Sequence, residues 1–180
     1  MSSIVPTTGI TVCKTATPTI STSPAYSTGD QIGGIIELTN VFKDFYRAFE
    51  PRPLGDGGST RWAGKATLKS INVTDISSQN ANFDFWFFNQ LPTVASSDNA
   101  ALNIAGAQII KLQHVYAFAP SAYSTTSANS AASIGGIDLV INQDTAALTD
   151  SIWVVAQIKS DAKTYTTTTA LQFKFDFYID

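Results

Sequence analysis

The sequence predicts an all-β fold, and three observations carry this prediction. Apolar and polar side chains alternate along several segments with the two-residue period of a half-buried strand. Segments rich in Gly, Ser, Thr and Asp separate these stretches, and no long amphipathic helix intervenes. Charged residues make up only 14% of the 180 residues, against roughly 25% in typical soluble domains. Together these features favour antiparallel sheets in a sandwich or a barrel.

The alternation is clearest in residues 171–179, whose apolar face comprises Leu171, Phe173, Phe175, Phe177 and Ile179. Residues 152–159 alternate in the same way. So do residues 110–118, whose apolar face comprises Ile110, Leu112, His114, Tyr116 and Phe118. Shorter strands are predicted at 10–15, 32–38, 66–73 and 137–142. With residues 83–89, these segments make about eight strands.

Residues 83–89 are apolar on nearly both faces, which is typical of a central strand in a sandwich. Trp86 and Phe88 face away from the side that carries Phe83, Phe85 and Phe87. Because only one side of a strand can face the main core, the sequence predicts a second contact surface behind this strand.

Two irregularities are also predicted. Leu68 and Ile71 break the alternation of their strand, which indicates a bulge or a bend. Residues 98–106 form the one short helical stretch, since Asp98 can cap a first turn and Gly106 can end it. The glycine doublets at 33–34, 57–58 and 135–136 are interpreted as strand entries and turns, and residues 123–133 as a turn-rich segment.

Charge and composition exclude several classes of function. The net charge is −3 and the sequence pI is about 5.0, so the basic surface that binds a phosphate backbone is lacking and direct nucleic-acid recognition is not expected. No run of 18 apolar residues is present, so we expect no membrane span. The first residues resemble no signal peptide, and synthesis in a cytosol is the simplest expectation. We expect residues 25–180 to form one domain, preceded by an extended arm or edge strand at 1–24.

The sequence offers no recognisable catalytic, cofactor-binding or metal-binding constellation, so none is predicted. His114 is the single histidine and falls on an apolar strand face, where a half-buried ring with one hydrogen bond is expected rather than a catalytic base. Cys13 is the single cysteine; it excludes an intrachain disulfide and is interpreted as a small buried hydrophobe. The carboxylates are scattered and form no calcium loop. A hydrolase with two facing carboxylates stays the least favoured alternative.

The segment 41–54 is the most unusual part of the chain. It concentrates aromatic, Arg and Lys residues in a sequence otherwise poor in charge. Aromatic and Arg enrichment marks the centres of protein interfaces. The alternative is an irregular loop folded over the core of its own chain. The predicted interface residues are Phe42, Phe45, Tyr46, Arg47, Phe49, Arg52 and Trp62.

From residue 25 onward the chain resembles the head decoration, or cement, proteins of tailed bacteriophages. The similar segments, in order, are 25–34, 68–75, 82–89, 97–105, 150–157, 164–167 and 171–179. The chain departs from the resemblance at residues 42–61, where such proteins have a short Gly/Ser turn. Whatever this insertion binds is therefore not implied by the family.

The resemblance implies an antiparallel, jelly-roll-like β-sandwich and a non-enzymatic structural role in the virion. The expected partner is the lattice of the major capsid protein, on the exterior of the head, and the expected protein is a homo-oligomer. A homotrimer would suit the local threefold positions of a capsid. The alternative within the same class is a jelly-roll protein of the tail, baseplate or fibre that binds host carbohydrate.

Overall fold

The computed structural model of the chain describes residues 10–42, 64–126, 128–144, 149–160 and 162–179. These residues form nine strands and a 3-10 helix at Gly106–Lys111. The strands are β1 (Ile10–Ala16), β2 (Gln31–Leu38), β3 (Lys65–Asp75), β4 (Phe83–Phe88), β5 (Leu112–Phe118), β6 (Ser124–Thr125), β7 (Ser130–Asn142), β8 (Ile152–Ile158) and β9 (Leu171–Ile179).

The strands form two sheets, with the orders β1-β9-β3-β7-β6 and β2-β8-β4-β5. All pairings are antiparallel. One long hairpin, whose tip is the β4–β5 connection, accounts for four of the pairs: β1–β9, β2–β8, β3–β7 and β4–β5. The further pairs β3–β9 and β4–β8 roll that hairpin into two sheets. This is the strand order of a jelly roll, with β6 as a two-residue addition, so the predicted fold class is confirmed.

Aromatic rings fill the space between the sheets. The ring centroid of Phe85, on β4, lies 5.1 Å from that of Phe173 and 5.4 Å from that of Phe175, both on β9. The interplanar angles of 81° and 88° are the edge-to-face arrangement that aromatic quadrupoles favour. All five apolar residues of the predicted 171–179 face are buried, as the alternation indicated.

The predicted irregularity of β3 is confirmed. The register shifts between Leu68 and Ser70 in the pairing with β7 and again in the pairing with β9, so Lys69 has no direct partner in either. The loop predicted at 123–133 is wrong, because it contains β6 and the start of β7. Ala131, Ala132 and Ser133 carry little β-propensity of their own, and pairing with β3 sets their conformation.

The face predicted for residues 110–118 is partly wrong. Ile110 belongs to the 3-10 helix and is 85% exposed. The register between β4 and β5 shifts between Phe87 and Phe88, which pair with His114 and Leu112. The extra residue turns Leu112 to the opposite side of the sheet, because strand faces alternate with period two. His114 is half-buried as expected, and its Nε2 donates to the Val140 carbonyl oxygen over 2.6 Å.

The predicted helix at 98–106 is also wrong. Asp98 does not cap a helix, because its carboxylate accepts hydrogen bonds from residues distant in sequence. Oδ1 accepts from the Tyr26 hydroxyl (2.7 Å) and the Gly33 N–H (2.6 Å), and Oδ2 accepts from the Ser21 N–H and hydroxyl (both 2.6 Å). Asp98 therefore fixes the chain before β2 against β2 itself.

Strand β1 lies at one edge of the five-stranded sheet. Cys13 points to the outer side of this strand and is exposed, so its assignment to the core is wrong. The neighbouring core-facing positions are occupied by Val12 and by Lys14, whose side chain is partly buried. An inward-pointing charge on an edge strand discourages pairing with a further strand.

Candidate functional site: the outer face of the four-stranded sheet

A row of four uncharged side chains crosses the outer face of the four-stranded sheet. The strand registers place Ile35 opposite Val155, Val155 opposite Trp86, and Trp86 opposite Val115. These residues share a face because side chains directly opposite in paired strands lie on the same side of the sheet. We call this side of the sheet the outer face. The second contact surface predicted from Trp86 and Phe88 lies here.

The connection from β4 to β5, residues 89–111, covers part of the outer face, and we call it the covering segment. Val94, Leu102 and Ile104 of this segment pack against a second cluster of buried residues, separate from the main core. The cluster comprises Phe88, Trp153 and Val155.

Backbone hydrogen bonds hold the covering segment against residues 29–31. The Leu102 N–H donates to the Gly29 carbonyl oxygen over 2.9 Å, and the Gln31 N–H donates to the Ala100 carbonyl oxygen over 2.8 Å. The Ser96 hydroxyl also donates to Gln31 Oε1 over 2.6 Å. The covering segment is therefore a fixed part of the surface and not a loose loop.

A groove of about 240 Å³ remains between the covering segment and the sheet. Its walls are Trp86, Leu102, Ile104, Ile109 and Gln157, none of which titrates near neutral pH. The Trp86 Nε1–H is buried and has no acceptor within the part of the chain that the structure describes. Such a group costs about 1–3 kcal/mol when it is left unpaired. The walls of the groove therefore offer no acid or base for catalysis.

Exposed apolar side chains concentrate around this groove. Of the seven large hydrophobic side chains exposed among the described residues, five lie on the outer face or on the covering segment. They are Ile35, Leu91, Ile109, Ile110 and Val115. Single exposed hydrophobic residues are ordinary, but a cluster of them marks an interaction site.

The buried carboxylate of Asp75 has a structural explanation. Its oxygens accept hydrogen bonds from the N–H groups of Ser77 (2.8 Å), Gln79 (2.8 Å) and Asn80 (3.1 Å), which close the turn after β3. Burial raises the pKa of the Asp75 carboxyl, and these hydrogen bonds offset part of that effect. Because both oxygens are engaged by the turn, the arrangement is that of a cap on the turn and not of a general acid.

Among the described residues, the exposed thiol of Cys13 does not form a reactive site either. The pKa of the Cys13 thiol is raised by desolvation and by the neighbouring Asp176, which keeps the thiol protonated and unreactive near neutral pH. Within the described ranges, no group of three or more His, Cys, Asp and Glu side chains is placed to hold a metal ion.

The sequence-predicted interface is only partly visible. Phe42 lies in the main core with 0% of its surface exposed, so its assignment to an interface is wrong. Phe42 packs inward, as the alternative of an irregular loop folded over the core of its own chain predicts for this residue. The remaining predicted interface residues lie outside the described residues: Phe45, Tyr46, Arg47, Phe49, Arg52 and Trp62.

Comparison with known proteins does not assign a family to the chain, because no protein-family model and no curated protein matches its sequence. In the part of the chain that the structure describes, none of the helical residues form a helix long and apolar enough to cross a membrane.

Proposed function

We propose that the chain is a non-enzymatic structural protein of a tailed-phage virion that decorates the head shell and stabilises it. The observation that carries this proposal is the set of exposed apolar side chains on the outer face and the covering segment, beside a groove whose walls contain no titratable group. Such a surface suits adhesion to a protein neighbour and not a chemical reaction. The jelly-roll order adds support by analogy, since capsid proteins use this fold.

The proposed mechanism is multivalent attachment. Many copies, each with a modest contact, hold adjacent capsomers together. A copy that is bound to one capsomer makes its contact with the adjacent capsomer at a raised effective concentration. A charge-poor surface favours this role, since few charged groups lose water when neighbours cover it. The major capsid protein lattice is the proposed partner, and the exterior of the virion is the proposed location.

The segment 43–63 is the proposed second contact with the shell, and its two ends are held together by the described residues. A Cβ atom built on Gly64 would lie 3.1 Å from Cδ1 of Phe42. The Val41 N–H donates to the Asp150 carbonyl oxygen over 2.7 Å, and the Gly64 N–H donates to Gln143 Oε1 over 3.0 Å. A short linker can therefore replace the segment without moving either end.

Replacing residues 43–63 with a short Gly/Ser linker is expected to leave the fold intact and to weaken binding to the shell. The melting temperature should change by only a few degrees, because the closure cost of a loop varies slowly with its length. Binding is measured by co-sedimentation with purified phage heads. The heads are taken from the virus that encodes the protein and are prepared without the protein itself.

A linker variant that folds and still co-sediments like the unmodified chain would refute a contact through segment 43–63. The wider proposal is tested by cryo-electron microscopy of the virions. Copies on the outer surface of the head shell would support it, and their absence from the head would overturn it.

The alternative of carbohydrate binding is favoured by one observation, a groove whose walls include the partly buried Trp86 side chain and Gln157. An indole ring can pack on the apolar side of a sugar. Binding to a glycan array that is lost in the Trp86→Phe variant would establish this function. Absence of binding to every glycan on the array would contradict the carbohydrate-binding alternative.

A further inference from the structure

The covering segment is ordered, and its contacts are arranged as those of a lid. We propose that it opens as one unit while the rest of the sandwich stays folded, and that opening exposes Phe88, Trp153 and Val155 of the sheet. This inference goes beyond the proposed function and does not depend on it, because the opening is a property of the single chain. Its support comes from the packing beneath the segment, from the ends of the segment and from its attachments.

The side chains beneath the covering segment are separate from the main core. They comprise Phe88, Trp153 and Val155, which are between 0% and 8% exposed, and we call them the covered cluster. On the same strand β8, Ile152 and Val154 pack in the main core. Because successive side chains of a strand point to opposite faces, the covered cluster can lose its cover without any change in the packing between the two sheets.

The covering segment itself buries few side chains. Pro92 is the one fully buried residue within 89–111, a range that the structure describes throughout. Its apolar side chains Val94, Leu102 and Ile104 are only partly buried. The segment contains none of the nine strands, and its regular structure is the 3-10 helix. Segments with few buried contacts and exposed backbone hydrogen bonds open at a lower free energy than the whole fold unfolds.

The two ends of the covering segment are joined at its base. The Asn89 N–H donates to the Lys111 carbonyl oxygen over 3.2 Å, directly beyond the last residues that β4 and β5 pair. Lys111 Nζ also donates to the Leu91 carbonyl oxygen over 3.0 Å. Both hydrogen bonds lie within the segment. The segment can therefore move away from the sheet without separating β4 from β5.

The attachments of the covering segment to the rest of the chain are concentrated in residues 96–102. The Asp98 carboxylate accepts the four hydrogen bonds described above. The Ser96 hydroxyl donates to Gln31 Oε1 over 2.6 Å, and the Asn99 N–H donates to the Gln31 carbonyl oxygen over 2.9 Å. Because one short stretch holds the whole segment, we expect its contacts to break together.

The chain that receives these attachments is held by other contacts. The Ile20 N–H donates to the Thr168 carbonyl oxygen over 2.9 Å, and the Tyr26 N–H donates to the Lys163 carbonyl oxygen over 2.8 Å. Ile20 and Tyr26 also pack in the main core. Residues 20–26 therefore keep their place when the covering segment opens.

Opening exposes the covered cluster beside Trp86. On the same face, two positions before Trp86, Asp84 forms a salt bridge with Lys159, with 3.2 Å between Oδ2 and Nζ. This pair bounds the apolar surface on one side. In the closed form the covered cluster is shielded from solvent and from other molecules. The covering segment therefore controls access to the largest apolar side chains on this side of the sheet.

Native-state hydrogen exchange of the full chain in increasing urea tests the opening. We expect the Asn99 and Leu102 amides to share one opening constant, at least about tenfold larger than that of the Phe175 amide in the central strand β9. Their exchange should depend only weakly on urea, because opening exposes less surface than unfolding. Unrelated opening constants for Asn99 and Leu102, or exchange of Leu102 as slow as that of Phe175, would overturn the proposal.

The Ser96→Ala variant tests the attachment. It removes the hydrogen bond to Gln31 and the one that the Ser96 hydroxyl accepts from the Asn103 N–H over 3.1 Å. We expect the opening constant of Leu102 to rise about tenfold, as the loss of two hydrogen bonds implies. An unchanged opening constant would refute an attachment through residues 96–102.

Ser77→Ala is the matched control, and it separates opening from global unfolding. The Ser77 hydroxyl is hydrogen-bonded to the Thr166 hydroxyl over 2.9 Å and accepts from the Thr166 N–H over 3.0 Å. These contacts lie in a turn that stays folded when the covering segment opens. Exchange of Phe175 should therefore become faster, and exchange of Leu102 should not change. Equal acceleration of both amides would show that Leu102 exchanges only by global unfolding, and the proposal would be wrong.

Thiol labelling tests what the opening exposes. Cys13, the single cysteine, is replaced with Ser because it is exposed. In that background we compare Val155→Cys, in the covered cluster, with Val73→Cys, in the main core, since both valines are 0% exposed. An aromatic disulfide reagent should label the Val155→Cys variant at least about tenfold faster. Equal rates for the two variants would show that the sheet is not exposed by a local opening.

Discussion

The Gly33→Ala variant is expected to unfold at a markedly lower urea concentration than the unmodified chain. A Cβ atom at residue 33 would lie 2.2 Å from the Cβ of Pro18, where carbon atoms normally stay about 3.5–4.0 Å apart. Pro18 is buried and its ring cannot rotate away. Gly33 also has φ of +74°, in the left-handed region that disfavours alanine. Together these effects should cost about 3 kcal/mol or more.

The neighbouring glycine provides the matched control. Gly34 has φ of +75°, but a Cβ atom there would meet nothing within 4 Å. Gly34→Ala is therefore expected to cost only the backbone strain, about 1–2 kcal/mol. The difference between the two free energies of unfolding isolates the contact with Pro18. Equal losses in the two variants would show that Pro18 does not lie against Gly33 as closely as the structure places it.

Asp98→Asn is expected to cost about 3 kcal/mol of folding free energy at neutral pH. The substitution preserves the shape of the side chain but turns one acceptor oxygen into a donor. Of the four groups that donate to Asp98, the N–H groups of Ser21 and Gly33 belong to the backbone and cannot reorient. Whichever oxygen is replaced, one backbone donor faces the new amide. Urea unfolding gives the total loss, and hydrogen exchange at residues 21 and 33 locates it.

Asp138→Asn is the control for the change of charge. Asp138 pairs with Lys69 over 2.5 Å, but the pair is largely exposed, and surface pairs contribute about 0–1 kcal/mol. Asparagine also tolerates the positive φ of 49° at this position. A loss in Asp98→Asn no larger than in this control would contradict the structural importance of the Asp98 carboxylate.

The sequence predicts those parts of the fold in which local pattern and tertiary packing agree. The apolar face of β9 follows from strict alternation, and the central position of β4 follows from its two apolar faces. The bulge in β3 was visible because Leu68 and Ile71 cannot share a face in a regular strand. The second surface behind Trp86 and Phe88 was predictable for the same reason.

Features that depend on distant partners could not be predicted. Nothing near Asp98 indicates that its hydrogen-bond donors lie before and within β2, so a helix cap was the natural local interpretation. The start of β7 consists of small residues that adopt an extended conformation only because β3 pairs with them. The exposure of Ile109 and Ile110 could not be predicted either, because a 3-10 helix of this length has no simple apolar period.

The order of strands in the rolled hairpin also constrains how the chain can fold during synthesis. Among the described strands, β1 pairs only with β9 and β2 only with β8, so both early strands lack these partners until residues 152–179 have been made. Contacts between residues so far apart close slowly, and unpaired strand edges promote aggregation in the meantime. A nascent chain therefore carries β1 and β2 unpaired for most of its elongation, and its exposure to chaperones depends on how quickly β8 and β9 emerge.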